Sequence, residues 1–138
     1  NVYLARLTMS NNIDDALIKS KQILKKLGLK KRENHYPSEL SGGESQRVGI
    51  SRALINSPNI ILADEPTGSL DQINSKEIFK LLLKLKNKNR VIIFATHNLY
   101  FAKMADCQLV MKNGRIFKSN AKLTPPPVLV AHFPNTFR

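Results

Sequence analysis

The sequence has very little cysteine and lacks a long apolar run. Its 138 residues contain one cysteine, Cys107, which excludes an internal disulfide framework and indicates a reducing compartment. No stretch approaches the roughly 18 consecutive apolar residues that a membrane-spanning helix needs, and no basic and apolar leader opens the sequence. A secreted or membrane-spanning protein is therefore a poor interpretation, and we expect Cys107 to pack in the core.

Acidic residues are scarce as well. The 10 acidic residues stand against 22 basic ones, and the resulting net charge of +12 could attract a phosphate-rich partner. Aromatic residues that could stack on bases are not interleaved with the basic ones. Lys76, Lys80 and Lys84 instead recur at helical spacing opposite an apolar stripe. A solvated helix face explains this charge better, and we expect no nucleic-acid partner.

Residues 1–58 have the pattern of a helical subdomain. Apolar residues recur at helical intervals after Asn11 and Asn12, and Gly28 follows the last of them, which predicts a capped amphipathic helix. Ser41 and Glu44 have the S-x-x-E spacing of a capping box, so a second helix should begin there. Pro58 ends this segment.

Residues 59–118 have the pattern of an α/β core. The apolar runs 59–63 and 90–95 are typical of strands buried on both faces, and a helix is predicted between them near residues 74–86. A strand–helix–strand order implies a parallel crossover. A hairpin should follow around 113–114, where Asn-Gly suits a tight turn. Residues 119–138 are proline-rich without periodicity, which predicts an extended or disordered tail.

Four short motifs occur in a fixed order along the chain. They are Leu40-Ser41-Gly42-Gly43-Glu44, the strand that ends in Asp64-Glu65, the loop Ser69-Leu70-Asp71, and His97 at a strand end. In this order they resemble the signature motif, Walker B strand, D-loop and switch histidine of an ATP-binding-cassette (ABC) ATPase. The sequence of residues 65–71 is most similar to that of the subgroup that serves lipoprotein release, macrolide export and cell division. The resemblance runs from Asn1 to about Lys118 and implies part of a P-loop NTPase-like domain, with parallel strands flanked by helices and an N-terminal helical subdomain.

The resemblance implies a nucleotide site that uses ATP and Mg²⁺. Ser41, Gly42, Gly43 and Gln46 would contact nucleotide held by a second ATPase subunit, and two glycines at a helix N-terminus let backbone N–H groups approach a phosphate closely.

The same resemblance assigns roles to residues of the core. Asp64 would hold Mg²⁺, Glu65 would orient and deprotonate the attacking water, and His97 would bond the γ-phosphate. Asp71 would span the subunit interface, or cap the helix after it, or do both.

One motif of this family does not occur in the sequence. The phosphate-binding loop G-x-x-x-x-G-K-[ST] is absent, since none of the six glycines is followed by Lys. We therefore expect Asn1 to lie within a longer domain, and the chain by itself to bind ATP poorly at Asp64. We also expect marginal stability, because strands 59–64 and 90–95 would be left with an open edge and an uncovered face.

The preferred interpretation is an ATP-hydrolysing subunit of an ABC transporter, lying in the cytoplasm against the membrane and paired with a membrane permease. Lipoprotein release is the expected process. Two alternatives remain open at this point. One is a truncated remnant or regulator that docks without hydrolysing ATP. The other is the C-terminal lobe of a DNA-repair or chromosome-maintenance ATPase, which should emerge from a long heptad coiled coil.

Overall fold

The computed structural model describes residues 1–112, 115–118 and 128–132. The chain forms two compact units, Asn1–Pro58 and Asn59–Arg138. Among the described residues, no helix combines the length and the apolar character needed to cross a bilayer.

The first unit contains three α-helices and two short 3-10 turns. The helices are α1 (Val2–Leu7), α2 (Ile13–Lys26) and α3 (Gly42–Leu54), and the turns are Lys30–Arg32 and Pro37–Glu39. The predicted capping of α2 is confirmed: the Asn12 side chain accepts a 2.9 Å hydrogen bond from the Asp15 backbone N–H, and Gly28 follows the helix with φ +80°. Helix α1 and both turns were not predicted.

The core of the first unit joins its three helices. Val2, Leu24, Leu29 and Ile55 form a buried cluster. Burying each such side chain stabilises the folded state by roughly 1.5–3 kcal/mol. The Asn56 side-chain amide donates a 2.8 Å hydrogen bond to the Ala5 carbonyl, so polar contacts also tie the end of α3 to α1.

The second unit is a five-stranded sheet with helices. Its elements are β1 (Ile60–Asp64), α4 (Gln72–Lys84), β2 (Val91–Thr96), α5 (Leu99–Ala102), β3 (Cys107–Lys112), β4 (Arg115–Lys118) and β5 (Val128–His132). The strand order is β1-β2-β5-β3-β4. All neighbours are parallel except β3 and β4, which pair antiparallel. The predicted parallel arrangement of β1 and β2 is confirmed, and its register pairs Asp64 with Ala95. The two strands therefore end at the same edge.

Aromatic packing joins α4 and α5 to the sheet. Phe79 of α4 lies edge-on to Phe94 of β2, with ring centroids 5.1 Å apart, and stacks on Phe101 of α5 at 4.6 Å. All three rings are buried. This cluster fixes the helices against the strand that leads to His97.

The prediction that β1 is buried on both faces is wrong for the residues that the structure describes. Ile61 is only 5% exposed, but Ile60 is 60% exposed and Leu62 is 74% exposed. Because successive side chains of a strand point to opposite faces, one face of β1 is covered and the other is open. The uncovered face agrees with the expectation from the sequence.

The second strand does not have the open edge that was expected. Strand β5 pairs with β2 from Ile92–Val128 to Thr96–His132, and it also pairs with β3. Part of the predicted extended or disordered tail, Val128–His132, is thus a strand inside the sheet. The rest of that tail and the predicted Asn-Gly turn at 113–114 lie outside the described residues. Cys107 is buried, as predicted.

Candidate functional site

The turn after β1 begins with an unusual backbone conformation at Glu65. Its backbone N–H still donates to the Ala95 carbonyl at 3.0 Å, but its φ is +40°, in the left-handed region. A non-glycine residue pays roughly 1–2 kcal/mol for that conformation. The Gly68 N–H closes the turn by donating to the Glu65 carbonyl at 3.0 Å. A Cβ on Gly68 would lie 3.3 Å from the Glu65 Cβ, so this close turn favours glycine there.

The Glu65 carboxylate is held against the end of β2. Its Oε1 accepts a 2.8 Å hydrogen bond from the His97 backbone N–H and lies 2.7 Å from His97 Nδ1. Its Oε2 accepts a 3.3 Å hydrogen bond from the Thr96 hydroxyl. The structure therefore brings together two of the predicted catalytic residues, Glu65 and His97.

This geometry determines where the imidazole carries a proton. A carboxylate oxygen only accepts, so Nδ1 of His97 must donate in the 2.7 Å contact with Glu65. The second ring nitrogen, Nε2, is then the atom available to another group. The His97 side chain is 56% exposed, so that group can approach from solvent.

A small pocket lies beside this pair. It has a volume of about 280 Å³ and is lined by Glu65, Thr67, Gly68, Leu70, Gln72, Ser75, His97 and Asn98. Asp64 does not line it. The Asp64 side chain is exposed at the last position of β1, next to Glu65 in sequence.

The Asp64 carboxylate fits only part of a metal site. Among the described residues, no cluster of three or more His, Cys, Asp or Glu side chains could hold a metal ion. Mg²⁺ commonly takes one or two protein carboxylates and completes its shell with water and phosphate oxygens. An exposed carboxylate at a strand end suits that mode of binding, in which the remaining ligands come from the nucleotide.

The predicted capping box at the start of α3 is confirmed. The Ser41 hydroxyl accepts a hydrogen bond from the Glu44 backbone N–H at 3.3 Å, and Glu44 Oε2 accepts one from the Ser41 backbone N–H at 2.9 Å. Gly42 and Gly43 form the first two positions of the helix. Gln46 follows on the same helix and is half-buried. Ser41, Gly42 and Gly43 thus lie together at one helix N-terminus, where helix dipole and free N–H groups favour an anion.

An arginine outside the motif contacts this capping box. Arg32 Nε donates a 2.7 Å hydrogen bond to Glu44 Oε1, and Arg32 Nη1 lies 3.1 Å from His35 Nε2. The Arg32 guanidinium, followed by the Ser41 backbone N–H, lowers the pKa of Glu44 from 4.5 to about 2. No local sequence pattern links Arg32 to Glu44, because the two residues are 12 positions apart.

Asp71 is the N-cap of α4. Its Oδ1 accepts hydrogen bonds from the backbone N–H groups of Ile73 at 2.9 Å and Asn74 at 3.0 Å. These bonds, the one from Asn74 first, lower the pKa of Asp71 below its usual 3.8. The helix-capping interpretation of Asp71 is confirmed, and its role at a subunit interface stays a prediction.

Comparisons with known proteins decide the family. A family model described as "ABC transporter" matches residues 2–68. The lipoprotein-releasing system ATP-binding protein LolD of Buchnera aphidicola is 47% identical over 120 residues, which are 86% of this chain and 52% of that protein. The chain belongs to the family of ABC transporter ATP-binding subunits. LolD 2 of Chlorobium chlorochromatii is 43% identical over 127 residues, which are 90% of this chain and 53% of that protein.

The fold comparison agrees with this family. The solved structure of cbiO1 from Clostridium perfringens, part of the ABC transporter complex cbiONQ, superposes with a TM-score of 0.75 at 31% identity, and the match covers 87% of this chain and 49% of that one. The α/β fold with a parallel sheet is thus that of an ABC ATPase. The chain spans about half the length of the curated relatives it matches.

Proposed function

We propose that this chain supplies the signature helix and the Walker B strand of an ATP-hydrolysing ABC transporter subunit that serves lipoprotein release or related export. Membership of an ABC ATPase family implies ATP hydrolysis as the underlying chemistry. The observation that carries the proposal for this chain is the Glu65–His97 pair at the end of β1 and β2. The choice of lipoprotein release rests on relatives that bear that name at 43–47% identity.

Each residue near the strand ends has a part in this proposal. Bound Mg²⁺ would neutralise phosphate oxygens, and Asp64 is the residue that would hold it. Glu65 orients the attacking water and takes its proton, since its carboxylate is fixed by His97 and Thr96. His97 presents Nε2 toward the terminal phosphate.

The signature residues act toward a different nucleotide in the same proposal. Ser41, Gly42 and Gly43 form an anion-binding site at the start of α3, called the anion seat below. Gln46 contacts the nucleotide from the same helix. The seat closes over ATP that a second ATPase subunit holds on its phosphate loop, and Asp71 lies at that interface. A membrane permease is the other partner, which places the assembly on the cytoplasmic face of the membrane.

These 138 residues contain no phosphate loop, so the experiment has to supply one. The test therefore combines the chain with the amino-terminal half of the Buchnera relative, chosen to include a G-x-x-x-x-G-K-[ST] loop. We expect Mg²⁺-dependent ATP turnover in the mixture and none from either polypeptide separately. Glu65→Gln should lower that turnover by about 10²-fold or more. Asp14→Asn, which removes one exposed carboxylate on α2, is the matched control and should not change it. Turnover that is indifferent to Glu65→Gln would contradict the proposal.

A regulator that docks without hydrolysing ATP is the second candidate. Two results together would replace the first proposal with this one. The chain would form a complex with a complete relative, and its mixture with the amino-terminal half of the Buchnera relative would show no ATP turnover. The DNA-repair alternative has less support, because α1 and α2 have only six and 14 residues and do not form a long coiled coil.

A further inference from the structure

We propose that Arg32 is a positioning residue for the anion seat at the start of α3: it neutralises the Glu44 carboxylate and holds it on the Ser41 side of the capping box. This inference rests on the proposed function, in which Ser41, Gly42 and Gly43 receive the terminal phosphates of a nucleotide. The proposed function itself gives no role to Arg32 or to the charge of Glu44.

The need for such a residue follows from the charge of Glu44. A glutamate at the third helical position satisfies the capping box and suits the helix dipole. The same negative charge is unfavourable once a triphosphate occupies that helix end, because two anions a few ångströms apart repel each other. An unneutralised Glu44 should therefore weaken phosphate binding by roughly three- to tenfold.

The contacts of Arg32 remove this conflict. Its Nε bonds Glu44 Oε1 at 2.7 Å, while Oε2 of the same carboxylate is occupied by the Ser41 backbone N–H at 2.9 Å. Both carboxylate oxygens are thus engaged within the first unit. His35 Nε2 lies 3.1 Å from the other side of the guanidinium and restrains it. The ion pair also joins the 3-10 turn Lys30–Arg32 to the start of α3.

Direct contact between Arg32 and phosphate is the competing explanation, and a double-mutant cycle separates the two. The cycle uses Arg32→Ala, Glu44→Gln and the double variant, because Gln keeps the capping box without its charge. Arg32→Lys keeps the positive charge but removes the planar guanidinium group. The Arg32 side chain is 41% exposed, so these variants should fold, and thermal melts verify that they do.

The measurement is a titration of the 138-residue chain with sodium triphosphate, followed by the amide NMR shifts of Gly42 and Gly43. We expect Arg32→Ala to bind three- to tenfold more weakly than wild type. Glu44→Gln should bind as tightly as wild type or tighter, and the double variant should return to within about twofold of wild type. Arg32→Lys should also remain close to wild type.

Three results would overturn the inference. Unchanged binding by Arg32→Ala removes any role for the arginine. A double variant as weak as Arg32→Ala means that Arg32 contacts phosphate itself or acts only in folding. Absence of a saturable shift at Gly42 and Gly43 in wild type means that the seat does not bind phosphate. The turnover experiment with Glu65→Gln fails or succeeds independently of this titration, so the two claims are tested separately.

Discussion

Glu65 and His97 are joined by two contacts: the backbone N–H of His97 donates to Glu65 Oε1 at 2.8 Å, and the ring Nδ1 lies 2.7 Å from the same oxygen. The parallel register of β1 and β2, which pairs Asp64 with Ala95, brings the two residues to one edge. The left-handed conformation of Glu65 turns the chain away after the strand ends. The pair thus depends on strand register as well as on residue type.

The Thr96 hydroxyl should be needed to hold Glu65. It donates a hydrogen bond to Glu65 Oε2 at 3.3 Å and accepts one from the Asn98 backbone N–H at 3.1 Å. Thr96 is only 1% exposed. Thr96→Val should lower the free energy of unfolding by about 1–2 kcal/mol, because buried polar partners lose a hydrogen bond. Thr96→Ser keeps the hydroxyl and serves as the control. Urea denaturation measures both, and equal stability of wild type and Thr96→Val would refute this role.

The two faces of β1 should respond differently to substitution. Ile61→Ala creates a cavity in the covered face and should destabilise the fold by about 2–4 kcal/mol. Leu62→Lys changes an exposed side chain of the edge strand and should leave stability within about 0.5 kcal/mol of wild type. It should also reduce self-association, since charge on an edge strand opposes pairing between chains.

Urea denaturation and analytical ultracentrifugation provide these two readouts. A large loss of stability in Leu62→Lys would show that the face is covered in solution.

Local patterns in the sequence predicted the helices and strands that begin or end at strong signals. Asn12 and Ser41 are caps whose side-chain bonds the structure confirms, and Asp64 ends β1 as expected. Short elements such as α1 and α5 were missed, because six and four residues carry too little periodicity to be recognised.

The features that the sequence predicted wrongly or not at all have a common physical cause. Each depends on contacts between segments that are distant in the sequence. The apolar composition of β1 suggested burial on both faces, but composition does not reveal which face a helix covers. The pairing of β5 with β2 joins segments more than 30 residues apart. The contacts of Arg32 with Glu44 and of Thr96 with Glu65 likewise cross between elements. The motifs put Glu65 and His97 each directly after a strand, and the parallel pairing of those two strands brings the residues together.

Acid should weaken the first unit through Glu44. The pKa of Glu44 is about 2 in the folded chain, against an ordinary value of 4.5, because Arg32 and Ser41 stabilise its ionised form. A depressed pKa contributes stability that is fully present above about pH 4.5 and is lost as the pH falls toward 2.

Glu44→Gln should therefore flatten the pH dependence of unfolding between pH 4.5 and 2, as followed by circular dichroism. Asp14→Asn removes a carboxylate from the same unit and is the control. An identical acid transition in wild type and Glu44→Gln is the outcome that this explanation does not allow.

Asp71 should stabilise α4 as its N-cap whatever its role at an interface. Asp71→Ala removes the acceptor for the Ile73 and Asn74 N–H groups, so the thermal midpoint should fall. Asp71→Ser retains a capping oxygen and should recover most of the loss. Differential scanning calorimetry distinguishes the variants. A midpoint that falls equally in Asp71→Ala and Asp71→Ser would indicate a function other than capping.

The central claim is that Glu65 and His97 act as one hydrolytic unit, and a double-mutant cycle on ATP turnover tests it most directly. The cycle compares Glu65→Gln, His97→Ala and the double variant in the mixture with the phosphate-loop half of the Buchnera relative. Residues that act as a unit are strongly non-additive, so the double variant should be about as slow as the slower single variant. The account would be contradicted if the losses of turnover rate in the two single variants multiplied in the double variant. It would also be contradicted if neither substitution changed the turnover rate.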